Sequence, residues 1–111
     1  MGFGEAISTC FNKYADFSGR ATRPEYWFFV LLAVIVATLA ATVHPAVGLL
    51  QLGLIVPHLA VACRRLHDVG KSGWLQLIAL IPIIGVLVLI YFLAQPGDRS
   101  ANVYGPSPAG A

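Results

Sequence analysis

Charge is what this chain has least of. Its 111 residues include seven Lys or Arg and five Asp or Glu, so 11% are charged while 58% are hydrophobic. A soluble domain is about a quarter charged and about half apolar. So few charges cannot cover the surface of a small soluble globule. The composition also excludes a disordered chain and a basic nucleic-acid-binding domain. Only two cysteines occur, Cys10 and Cys63, without CxxC-type spacing, which excludes a disulfide scaffold and reads as two free buried thiols. No positive n-region with a short apolar core follows Met1, so no cleavable signal peptide is expected, and no lipidation motif fits. The formal net charge is only +2, too small for strong steering of an anionic partner.

What is present is apolar and long. Tyr26 to Val43, Ala46 to Cys63 and Trp74 to Ala94 contain no Asp, Glu, Lys or Arg. Each approaches or reaches the ~20 residues with which a helix crosses the hydrocarbon layer. The fold class expected is all-α and integral to a membrane, as one domain of three transmembrane helices. Only His44-Pro45 joins the first two, a tight hairpin whose proline suits a helix start. Pro82 and Gly85 interrupt the third run. A re-entrant hairpin there would return the tail to its starting side, but a single kinked span is preferred, because neither half is polar.

Residues 3–17 read differently. Phe3, Ile7, Cys10, Phe11 and Tyr14 recur at helical spacing, and Glu5, Asn12, Lys13 and Asp16 take the other face. This is expected to be an amphipathic helix on the membrane surface; a helix packed on the loops is the alternative. Residues 95–111, rich in Pro, Gly, Ser and Ala, are expected to form an extended or loosely ordered tail. All basic residues except Arg99 fall before the first run or between the second and third. The positive-inside rule then puts the N-terminus in the cytoplasm and, with three spans, the tail outside.

Two polar motifs hold most of the charge. In the first, Thr22 and Glu25 form a capping-box pattern, and Tyr26 and Trp27 are expected as interface anchors. Arg20 and Arg23 remain for lipid phosphates or carboxylates. In the second, Arg64, Arg65 and His67 lie at a helix C-terminus, Arg64 and Asp68 are spaced for a helical ion pair, Gly70 suits a C-cap and Ser72 an N-cap. Lys71 adds a cation and Trp74 a third anchor. The expected pairings put Arg20 or Arg23 beside Asp68, and Glu25 beside Arg64 or Arg65. The cluster reads first as structural and second as a site for an anion or lipid headgroup.

Catalysis has little support. His67-Asp68 alone does not make a metal site, and His44 and His58 lie elsewhere. No catalytic residue, metal or cofactor is expected. His58 is the only imidazole within an apolar run and the sole handle for a transport or channel role. Ala33, Ala37 and Ala40 or Ala41 give the first helix a small-residue face for packing against its neighbours, a second copy or a larger membrane complex.

The segments FNKYADFSGRATRPEYWFF, PHLAVACRRLHDVGKSGW and LIPIIGVLVLIYFLAQPGDRSANVYGPSP together resemble the bacterial domain-of-unknown-function family 805. The resemblance covers nearly the whole chain and implies a small multi-pass inner-membrane protein, without an established activity, substrate or cofactor. Its signature positions here are Gly19, Arg20, Arg23, Glu25, Tyr26 and Trp27, then Arg64, Arg65, Leu66, His67, Asp68, Ser72 and Trp74. Pro82, Gly85, Asn102, Tyr104, Gly105 and Pro108 complete them. The short link between the first two runs departs from the family pattern. A tail signature beside two cytoplasmic ones is easier to understand if all three meet on one face. The function expected is that of a non-enzymatic accessory or scaffold subunit. Binding of anionic lipids or anions is the alternative, and a transport or channel subunit the weaker one. No nucleic-acid partner is expected.

Overall fold

The computed structural model describes residues 2–106; Pro108 lies outside them. Four α-helices form: α1 Phe3–Asn12, α2 Arg23–Thr42, α3 Leu50–Asp68 and α4 Ile84–Ala94. Two 3₁₀ segments, Pro45–Leu49 and Gly73–Leu80, precede α3 and α4.

Helix α1 is shorter than the amphipathic segment expected over 3–17. It ends at Asn12, with Lys13 outside helical geometry at φ −108° and ψ 40°, and beyond it Asp16 Oδ1 accepts hydrogen bonds from both the Ser18 N–H and the Ser18 hydroxyl, while Gly19 adopts φ +81°. This local turn competes with helix continuation. Ala6 and Cys10 are buried, and the helix leans on α2 through the Phe3–Phe28 and Phe11–Phe29 edge contacts, 5.8 and 6.2 Å between centroids.

Thr22 caps α2, its side chain accepting from the Glu25 N–H at 3.4 Å, and Pro24 sits in the first turn. Helices α2 and α3 pack as the expected hairpin. Pro45 starts the 3₁₀ turn, and His44 Nδ1 accepts from the Ala46 N–H at 3.0 Å. Arg23–Thr42 (20 residues) and Pro45–Asp68 (24 residues) are each long and apolar enough to cross a membrane.

The third apolar run corrects the sequence expectation of a kinked span. Ser72 caps a 3₁₀ limb, accepting from the Trp74 N–H at 3.2 Å. The chain then reverses at Ile81–Ile83, where Ile83 takes φ +64°, costly for a β-branched residue. It returns as α4, an 11-residue helix about 16 Å long. That is roughly half the hydrocarbon thickness. Pro82 supplies no N–H to continue a helix. Gly85 lets the limbs touch: a Cβ there would overlap the Ile78 carbonyl. The run goes in and comes back, so three spans become two span-length helices and a broken hairpin.

The pattern of burial is inverted relative to a soluble protein. Arg20, Glu25, Arg64, Arg65, His67 and Asp68 are buried, while Leu31, Ile35, Leu52, Ile55, Leu87 and Ile90 are exposed. Apolar surface with charge enclosed is the arrangement that lipid favours. Phe29, Val61, Leu66 and Leu93 form the core beside the polar cluster. Tyr26, expected as an interface anchor, is instead in this core, edge-on to Trp27 and His58. Trp74 is 79% exposed. On the small-residue face, Ala40 meets Gly48 and the Ala33 carbonyl accepts from Gln51, whereas Ala37 and Ala41 are exposed.

A buried ionic cluster as the candidate functional site

The last two turns of α3 place Arg64, Arg65, His67 and Asp68 side by side, all buried. The loop before α2 runs past them, anchored where the Ala21 N–H donates to the Arg64 carbonyl at 2.9 Å. The tail passes on the other side, where the Asp98 N–H donates to the Asp68 carbonyl at 2.7 Å. A Cβ on Gly97 would overlap the Asp68 carboxylate, so glycine is what lets the tail come this close.

Asp68 sits between two guanidinium groups. Arg20 Nε donates to Oδ1 at 2.9 Å and Arg65 Nη1 to Oδ2 at 2.5 Å. Arg64 Nη1 pairs with Glu25 Oε2. Two of the pairings expected from sequence, Arg20 with Asp68 and Glu25 with Arg64, are therefore present. The expected Arg64–Asp68 helical pair is not; Arg65, three residues from Asp68, takes that place, and Arg64 turns to α2. Because Glu25 is engaged by Arg64, the Thr22 cap is found in its forward direction.

Three guanidinium groups against two carboxylates leave one positive charge over. Backbone carbonyls absorb it. Arg20 donates to the carbonyls of Asp98 at 2.5 Å, Ser100 at 2.9 Å and Gly105 at 3.1 Å. Arg65 donates to Leu93 at 3.0 Å, Ala21 at 3.1 Å and Gln95. Arg64 Nε donates to the Asp16 carbonyl at 3.1 Å, and its Nη2 is buried without a partner among the described residues. The negative end of the α3 dipole favours the same charge. His67 Nδ1 lies 2.8 Å from the Gly19 carbonyl, and its ring stacks on Tyr104 with centroids 3.9 Å apart. Asn102 donates to the His67 carbonyl at 3.0 Å and to Asp98 Oδ2 at 2.9 Å.

These bonds overturn the expected loose tail on the opposite side. Residues 95–105 are tied to the end of the molecule that carries Arg20 and Arg65, and Asn102 and Gly105 close a tight turn by two mutual hydrogen bonds. The carbonyls of the tail were not legible as site groups; the surplus of arginine over carboxylate was the available signal. Arg23 and Lys71 stand outside the cluster and are exposed, Lys71 with Nζ 5.6 Å from the Phe92 ring centroid. Arg20, Arg64 and Arg65, the other cations expected for an anion, are buried and each pairs with a carboxylate. His58 lies edge-on between Tyr26 and Phe29. Among the described residues no three His, Cys, Asp or Glu side chains converge as a metal would require.

Two groups at the margin are perturbed. Burial pushes the Cys10 thiol up to about 11, with the Glu25 charge adding to the effect. The Ser18 hydroxyl, then the Ser18 N–H, hold the Asp16 carboxyl below its ordinary value.

No solved structure matches this chain. Inner membrane protein YhaI of Escherichia coli K12 is 40% identical over 105 residues, covering 87% of this chain and 89% of YhaI. Inner membrane protein YhaH of the same strain is 36% identical over 109 residues, covering 87% of this chain and 90% of YhaH. The family model described as "Protein of unknown function (DUF805)" matches residues 14–106, the stretch that contains the whole cluster and the returning tail, and the chain belongs to that family.

Proposed function

We propose that this protein is a non-enzymatic accessory or scaffold subunit of the bacterial inner membrane. The observation that carries the reading is the employment of the buried charges. Arg20, Arg64, Arg65, Glu25 and Asp68 are directed at one another and at backbone carbonyls, and so bind the α2 entry, the α3 end and the tail into one unit. Such a network holds a shape. The shape it holds presents apolar flanks: Leu31, Ile35 and Leu39 on α2, Leu52 and Ile55 on α3, and Leu87 and Ile90 on α4 are exposed. In lipid, helices associate through close packing, for which exposed Ala37 and Ala41 leave room. The partner is a larger membrane complex or a second copy.

The N-terminus and tail belong to the cytoplasmic side in this reading. With the tail returned to the cluster, Arg99 joins Lys13, Arg23 and Lys71 at one end, which strengthens the positive-inside assignment. Mild extraction from native membrane without overexpression, followed by native mass spectrometry, tests the proposal. Recovery in a complex larger than one chain is expected; recovery as a monomer alone would overturn it.

A further inference from the structure

Beside the cluster lies a groove of about 660 Å³ between the last turns of α3 and the 3₁₀ limb that follows it. Its volume is within the range of small-molecule sites, about 300–1,000 Å³. Leu59 and Leu77 line it at one end, and His67, Ser72 and Tyr104 at the other. From Leu59 to His67 is eight residues of α3, about 12 Å of rise. The groove therefore has an apolar end pointing along the helices and a polar end at the cluster.

Its walls are fixed. Gln76 Nε2 donates to the Leu59 carbonyl at 3.3 Å, and Gly73 lies so close to Cys63 that a Cβ would overlap the sulfur. Tyr104 is held over the polar end by its stacking on His67.

The polar end has a readable chemistry. Gly19 presents only a carbonyl to His67 Nδ1, so in the neutral ring Nδ1 carries the hydrogen and Nε2 the lone pair. Cys63 Sγ is 3.6 Å from Nε2 but 3.3 Å from the Phe17 carbonyl, and its one hydrogen serves one acceptor at a time. Nε2, on a side chain lining the groove, is thus open to a further donor. A carboxyl group suits this position in either protonation state. A carboxylic acid donates to neutral Nε2, and a carboxylate accepts from the protonated ring. Ser72 and Tyr104, whose side chains carry hydroxyl groups, line the same end.

The geometry points to a binding site for a long-chain fatty acid, with the carboxyl at His67, Ser72 and Tyr104, the first part of the alkyl chain running to Leu59 and Leu77, and the remainder continuing past them along the helices. The test uses the full chain in detergent micelles irradiated with diazirine-bearing palmitic acid, and adducts are mapped by mass spectrometry. Adducts at Leu59, Trp74 or Leu77 are expected. Unlabelled palmitic acid suppresses them, and its methyl ester, which keeps the chain but loses the acid, competes about tenfold less well. Leu77→Trp, a substitution at a half-exposed position, fills the groove and abolishes capture. Ser72→Ala, which leaves the groove open, weakens it. Adducts spread equally over the exposed faces of α2 and α4, or a methyl ester that competes as well as the acid, would overturn the assignment.

Discussion

The Tyr14 hydroxyl donates to the Gly53 carbonyl at 2.7 Å, and Gly53 lies four residues before Pro57 in α3. That carbonyl would ordinarily accept from the N–H at position 57, which proline lacks. A side chain from the segment after α1 thus repairs a helical hydrogen bond in another element. Tyr14→Phe is expected to destabilise the protein by about 1 kcal/mol. The same change on a Pro57→Ala background, where the backbone N–H is restored, is expected to cost less. A double-mutant cycle on thermal unfolding in micelles reads the coupling; equal costs on both backgrounds would refute the repair.

Asp68 is the hub of the cluster. Asp68→Asn leaves Arg20 and Arg65 facing a neutral amide, and removal of one partner from a buried pair costs about 3–5 kcal/mol. Glu25→Gln touches only the Arg64 pair and is expected to be the milder change. Melting temperature and resistance to proteolysis should fall in that order, with cleavage of the Asp68 variant appearing in residues 95–105, where the tail is released.

The fold-back of the third run brings the tail to the end of the molecule where the chain enters α2, so that the Asp98 N–H reaches the Asp68 carbonyl and the Ser100 carbonyl reaches Arg20. Topology reporters fused at either end should give the same signal. Gly85→Leu forces the hairpin limbs apart at Ile78 and is expected to lower stability and to unlock the tail. A C-terminal reporter on the opposite side from the N-terminus in the native sequence would contradict the fold.

Cys10 is buried, and its thiol is pushed up to about 11. It is expected to resist maleimide at pH 8 in the folded protein and to react once denaturant exposes it, because the thiolate is the nucleophile. Rapid labelling under native conditions would show that α1 detaches from α2.

Asp16 gives a pH dependence of known sign. Its carboxyl is held below the ordinary 3.8 by Ser18. A depressed folded-state value means that the stabilisation is complete above about pH 3.8 and disappears as the pH falls through the folded-state value. Ser18→Ala should move the Asp16 titration upward, as followed by NMR of the carboxyl carbon. The effect on stability is expected to be small, because the carboxyl is largely solvated.

Much of this was legible along the chain, for local reasons. Thr22, Pro24 and Glu25 announce a helix entry, His44-Pro45 a hairpin, and Ser72 a cap, because each acts on backbone groups within a few residues. Arg20 with Asp68 and Glu25 with Arg64 could be matched because buried charges need opposite charges and few were available. The choice between Arg64 and Arg65 as the partner of Asp68 was not legible. It depends on which face of α3 meets α2, and both spacings are possible on a helix.

The sequence by itself determined the solvent, since bare apolar runs and charges gathered into two motifs leave lipid as the only environment for the helices. Tertiary structure alone decided the path of the last run. Hydropathy reports that Trp74–Ala94 is apolar, not whether it crosses, and Pro82 and Gly85 are compatible with a kink or a reversal. What selects the reversal is contact between distant parts. Gly85 seats against Ile78, Gly97 against Asp68, and the unmatched donors of Arg20 and Arg65 take carbonyls from residues 93–105. A buried guanidinium needs its donors satisfied, and here the returning tail supplies the acceptors.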